Sequence, residues 1–82
     1  MVEVKILGPG CSKCKVTESQ VKRAVATLNR TDITVIKIEK IEEIMVYNIM
    51  STPALVVNGV IKSIGRVPSV DQIIQFINEA SQ

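Results

Sequence analysis

Cys11 and Cys14 are the only cysteines in the chain, and there is no histidine. Two thiols separated by two residues can exchange with disulfides, hold a soft metal ion, or tie a small loop together. Their position favours the first. Gly8-Pro9-Gly10 breaks the chain just ahead of Cys11, and the stretch from Cys11 to Asn29 contains neither Gly nor Pro. The pair therefore straddles a helix start, where unpaired backbone N–H groups and the helix dipole stabilise an anion. A thiolate is such an anion, so the Cys11 pKa is expected below the free value of ~8.5, which makes Cys11 the attacking nucleophile. Cys14 falls one turn inside on the same face, placed to resolve a mixed disulfide and release the partner. Lys13, between the two, adds a positive charge that tunes the Cys11 thiolate in the same direction.

The other chemistries fit less well. A loop this short removes little unfolded-state entropy when it is closed, so a purely stabilising cross-link has little to offer. Free cysteines often serve as small buried hydrophobes, but a helix start is a poor place for that role. A structural zinc site needs four protein ligands, and two thiolates without imidazole would require a dimer sharing four cysteines. Cu(I) is satisfied by two thiolates, so a non-catalytic Cu(I) or zinc thiolate carrier stands as the rival from another class.

The elements around the pair are legible. Val2, Val4 and Ile6 alternate with Glu3 and Lys5, a period of two that predicts a strand over residues 2–7. A helix from Cys11 to Asn29 puts Cys14, Val21, Val25 and Leu28 on one face. Ile33 to Ile38 is a second strand, and Ile41 to about Ile49 reads as a short helix with Ile41, Ile44, Met45 and Asn48 forming its face. After Ser51-Thr52-Pro53, two strands, Ala54–Val57 and Val60–Ile64, flank Asn58-Gly59. That dipeptide is a strong hairpin signal, because a type I′ turn needs positive φ at both central residues. Ser69 stands three residues before Gln72, a capping-box pattern, and Val70, Ile73, Ile74 and Ile77 continue as an amphipathic helix to about Ala80. The order is β-α-β-α-β-β-α, with a parallel first unit and an antiparallel closing hairpin. Small copper carriers also place Cys-x-x-Cys after a first strand, but they end on a strand, whereas this chain ends on a helix.

Composition bounds the rest. The 82 residues form one domain, 1–82, with 46% hydrophobic and 22% charged residues. Twelve Ile and twelve Val, against Tyr47 and Phe76 as the only aromatics, favour strands in a small mixed core. A net charge of +2 with this apolar fraction excludes intrinsic disorder. No apolar run approaches the ~18 residues a membrane span needs. Glu3 and Lys5 interrupt the first apolar stretch, so it is not a secretory leader, and a cytoplasmic location is expected. Lys13, Lys15, Lys22 and Arg23 lean basic, but without stacking aromatics they read as a solvated helix face rather than a nucleic-acid site.

Taken together, these residues resemble the thioredoxin-like disulfide oxidoreductases. The resemblance rests on Cys11-Ser-Lys-Cys14 at the strand-to-helix junction, Thr52-Pro53 before the third strand, the Asn58-Gly59 hairpin and Gly65 after the fourth strand. The Gly8-Pro-Gly-Cys-Ser-Lys-Cys start is most similar to that of the short, glutaredoxin-sized prokaryotic thioredoxins. It implies a four-stranded mixed sheet flanked by three helices, and a cycle in which protein disulfides are reduced through Cys11 and Cys14. It also implies that Pro53 is cis and lies against the cysteine pair, and that Thr52, Pro53 and Gly65 line the substrate groove. The implied partners are disulfide-bearing client proteins and an upstream disulfide reductase, with no nucleic acid, membrane, metal or other cofactor and a monomeric chain. A glutathione-linked, glutaredoxin-like protein is the rival within the same chemistry.

The departures are specific. There is no tryptophan, Gly10 precedes the first cysteine, and Ser12-Lys13 replace the Gly-Pro of full-length thioredoxins. Lys5 stands six residues before Cys11, where family members carry a buried acid. Proton acceptance from Cys14 is thereby left to water or to a nearby backbone group.

Overall fold

A computed structural model describes residues 2–49 and 51–80. The sheet is built on β1 (Val2–Leu7), which pairs in parallel with β2 (Ile33–Ile38) and antiparallel with β3 (Ala54–Val57). β4 (Val60–Ile64) closes the sheet through the hairpin with β3, giving the order β2-β1-β3-β4. Asn58 and Gly59 have φ of 49° and 80°, the positive pair that the turn requires. The Asn58 side chain also accepts a 2.8 Å bond from Glu3 N, pinning the turn to β1.

The period-two alternation of β1 divides the core in two. Val2, Val4 and Ile6 pack with Leu55 and Val57 beneath α1 (Ser12–Leu28) and α3 (Val70–Ala80). Leu7, Ala54 and Val56 pack on the opposite face against Ile44 of α2 (Ile41–Met45). Each face thus buries its own apolar cluster, the layered arrangement of an α/β domain.

Helix ends follow local chemistry. Cys11 is the N-cap of α1 rather than its first turn, and Asn29 ends the helix in the left-handed conformation at φ 50°. Ser69 and Gln72 form the reciprocal capping box of α3, with bonds of 3.0 and 3.2 Å. The buried face of α1 holds Cys14, Thr17, Val21 and Ala24, so Val25 and Leu28, expected on that face, sit only partly buried at its flank. Thr17 can be buried because its Oγ1 donates 2.9 Å to the Lys13 carbonyl.

The helix expected to reach Ile49 stops at Met45, and turns follow. Asn48 adopts φ 55°, which no helix interior accommodates. Of its expected face only Ile44 is buried, while Ile41 and Met45 are 60% and 66% exposed. No helix among the described residues is long and apolar enough to cross a membrane.

Candidate active site

The site forms where β1 runs out. Leu7 is the last strand residue, Gly8-Pro9-Gly10 turns the chain, and Cys11 caps α1 from an extended conformation. Gly10 makes this turn with φ 95°, a region open to glycine and strained for other residues. Cys11 Sγ accepts a hydrogen bond from Cys14 N at 3.3 Å. The sulfur therefore lies among the unpaired N–H groups of the first helical turn, where negative charge is favoured.

Cys11 and Cys14 are joined in a disulfide with Cα atoms 5.0 Å apart. Their environments differ sharply. Cys11 is exposed, whereas Cys14 is 2% exposed. One end of the disulfide belongs to a surface residue and the other to a core residue.

Gly8 packs directly on Cys14, and Pro53 lies close to Gly8. A Cβ placed on Gly8 would overlap Cys14 Sγ, and would stand 3.9 Å from Pro53 Cα. The Thr52–Pro53 peptide bond is cis, Pro53 is buried, and Thr52 is half-buried beside it. Gly65 N donates 2.8 Å to the Pro53 carbonyl, which fixes the end of β4 against this loop. Gly65 has φ 70°, and a side chain there would press on Ser51 Cβ at 2.9 Å. The structure thus gathers Cys11, Cys14, Pro53 and Gly65 at one end of the sheet. Lys13 differs from them: its side chain is exposed and makes no ion pair among the described residues.

Two residues at the site have contacts that the sequence did not indicate. Gly8 reads as a chain break, but its place is set by contact with Cys14. Glu39 follows β2, and its Oε2 lies 3.7 Å from where a Gly10 Cβ would stand. That carboxylate belongs to a chain of ion pairs in which Lys37 Nζ bridges Glu39 at 3.7 Å and Glu18 at 3.3 Å. Hydrogen bonding to Glu18, more than the Coulomb attraction of either carboxylate, holds the Lys37 pKa above its ordinary value.

Lys5, six residues before Cys11, is engaged away from the cysteines. Its Nζ donates 3.0 Å to the Tyr47 hydroxyl, pairs with Glu3 at 3.2 Å and lies 5.7 Å from the Tyr47 ring centroid. The bond to Tyr47, followed by that to Glu3, raises its pKa. Among the described residues no group of three or more His, Cys, Asp or Glu side chains is gathered to hold a metal ion.

An exposed cysteine at a helix start, bonded to a buried one with a cis proline at the same end of the sheet, is an arrangement for disulfide exchange, and comparisons with known proteins agree. A family model described as a thioredoxin domain matches residues 2–78. A thioredoxin of Methanocaldococcus jannaschii is 37% identical over 73 residues, covering 89% of this chain and 83% of its own. A thioredoxin of Methanothermobacter thermautotrophicus is 31% identical over 78 residues, covering 95% of this chain and all of its own. The chain belongs to the thioredoxin family and is a thiol–disulfide oxidoreductase working through the Cys11–Cys14 pair.

Proposed function

We propose that the chain acts as a single-domain, monomeric cytoplasmic reductant of protein disulfides, with Cys11 attacking and Cys14 resolving. The Cys11 thiolate attacks one sulfur of the client disulfide, the client S–S bond breaks, and the other client sulfur leaves as a thiolate. Cys14 then loses its proton to water and attacks Cys11 Sγ. The mixed disulfide breaks, the second client thiolate departs, and Cys11–Cys14 is left oxidised. Two electrons and two protons from an upstream disulfide reductase restore the dithiol. Thr52, Pro53 and Gly65 form the groove that holds an extended client segment beside Cys11, and Lys13 tunes the thiolate.

The observation that carries this assignment of roles is the contrast between exposed Cys11, capped by Cys14 N–H, and buried Cys14. Attack requires access, and resolution requires only contact with the partner sulfur. The test is sustained turnover of a disulfide-bonded substrate protein, with NADPH and thioredoxin reductase in one arm and glutathione in the other. Turnover in the first arm, abolished by Cys11→Ser, is the expected result. Turnover with glutathione alone would assign the chain to glutaredoxin-like chemistry, and full activity of Cys11→Ser would overturn the roles.

A further inference from the structure

We infer that the outer edge of β4 receives an extended, acidic segment of the client protein by strand addition. The inference deepens the disulfide-exchange reading, on which the identity of the occupant as a client rests. β4 is the terminal strand of the sheet, and among the described residues nothing pairs with its outer side. Its unpaired N–H and C=O groups are a template for another strand.

The side chains narrow the choice of strand. Ile61 lies opposite Val56 and Ile64 opposite Ala54, so both extend the apolar face of the sheet that carries α2. They remain 37% and 47% exposed. A shallow groove runs along them, lined by Ile61, Lys62, Ser63, Ile64 and Arg66. Lys62 is the extra residue at the irregularity between the paired positions Ile61 and Ser63. Ser63 Oγ is buried with no hydrogen-bond partner among the described residues.

Charge selects the occupant. Residues 60–66 carry two cations and no carboxylate. Antiparallel pairing with a second copy would therefore set like charges against each other, which opposes such pairing. An acidic strand with apolar side chains is matched both to the cations and to Ile61 and Ile64. The direction of the edge connects it to the chemistry, because Gly65, just past β4, bonds the Pro53 carbonyl at 2.8 Å. Ile64 pairs with Ala54 and Ala54 with Leu7, so a segment laid along β4 ends at the same end of the sheet as Cys11, with β4 and β3 between it and β1.

The test is an amide-resolved NMR titration of the oxidised, isotope-labelled protein with two capped peptides, one alternating valine and glutamate, the other valine and lysine. Neither peptide contains sulfur, so the titration reads the edge without any exchange chemistry. Shifts centred on residues 60–66 are expected with the glutamate peptide. The lysine peptide should bind about fivefold or more weakly, given the modest strength of exposed charge pairs. Lys62→Glu with Arg66→Glu should reverse that preference, which a merely damaged edge would not do. Equal affinity for the two peptides, shifts confined to other elements, or no reversal in the double variant would overturn the inference. Failure of the turnover assay with a normal titration would instead remove the exchange reading and leave the strand site standing.

Discussion

Gly8 lies so close to Cys14 that the smallest side chain at position 8 would collide with its sulfur. The contact is tight on two counts, because the same Cβ would also stand 3.1 Å from Cys14 Cβ. Neither partner can yield easily, since Gly8 is fixed by its 2.9 Å bond to the Ile38 carbonyl and Cys14 by α1.

Gly8→Ala should therefore displace Cys14 or the strand end. Overpacking at a buried position destabilises by about 1–3 kcal/mol. Urea unfolding of the oxidised and reduced forms measures this directly. Unchanged stability in both forms would mean that the turn relaxes without strain.

Exposure of Cys11 against 2% exposure of Cys14 sets an order of reactivity. Alkylation of the reduced protein near neutral pH should label Cys11 first, as peptide mapping would show. Cys14→Ser should accumulate a mixed disulfide with a client, because the resolving step is missing. Cys11→Ser should not. Faster labelling of Cys14 would reverse the two roles.

Much of this site was legible because its signals are local. Cys-x-x-Cys after a glycine break, Asn58-Gly59, and Ser69 with Gln72 each act through neighbours a few residues away. The obscure parts depend on contacts between distant residues. Nothing near Gly8 announces that Cys14 will fill the space where its side chain would be. The engagement of Lys5 by Tyr47 joins residues 42 apart, and Glu39 reaches Gly10 only because β2 lies beside β1. The overlong α2 has a different cause: Ile44 and Met45 match a helical period, but the left-handed backbone at Asn48 leaves it.

Arg30 and Asp32 tie the end of α1 to the start of β2, with Arg30 Nε donating 2.9 Å to Asp32 Oδ1. That bond holds the Asp32 carboxyl below the usual carboxylate range. A depressed folded-state pKa contributes stability that is present above the unfolded value and is lost as pH falls through the folded value. The stability gap between the native protein and Asp32→Asn should therefore be steady near neutral pH. It should shrink below about pH 4, where the unfolded-state carboxyl protonates. Denaturation midpoints across that range test the sign, and a gap that widens in acid would contradict it.

Charged residues of both signs flank the segment that carries Cys11, and their opposition gives a paired test. Lys13 and Lys15 lie on α1, while Glu39 stands by Gly10 with Lys37 and Glu18 behind it. Lys13 is solvent-exposed, so water and salt weaken its field at the sulfur. Lys13→Gln should raise the Cys11 pKa by at most about 1 unit, and Glu39→Gln should lower it by no more. Both shifts should fade with added salt, whereas the contribution of the α1 N-terminus, fixed by the Cys14 N–H bond, persists in both variants. Thiolate absorbance against pH, with Cys14→Ser in every background to isolate one thiol, separates the three contributions. If Glu39→Gln leaves the titration unmoved at low salt, its carboxylate is held by Lys37 away from the sulfur. A Cys11 pKa at the free value of ~8.5 in the Lys13→Gln protein would then assign the whole depression to Lys13, against the helix terminus.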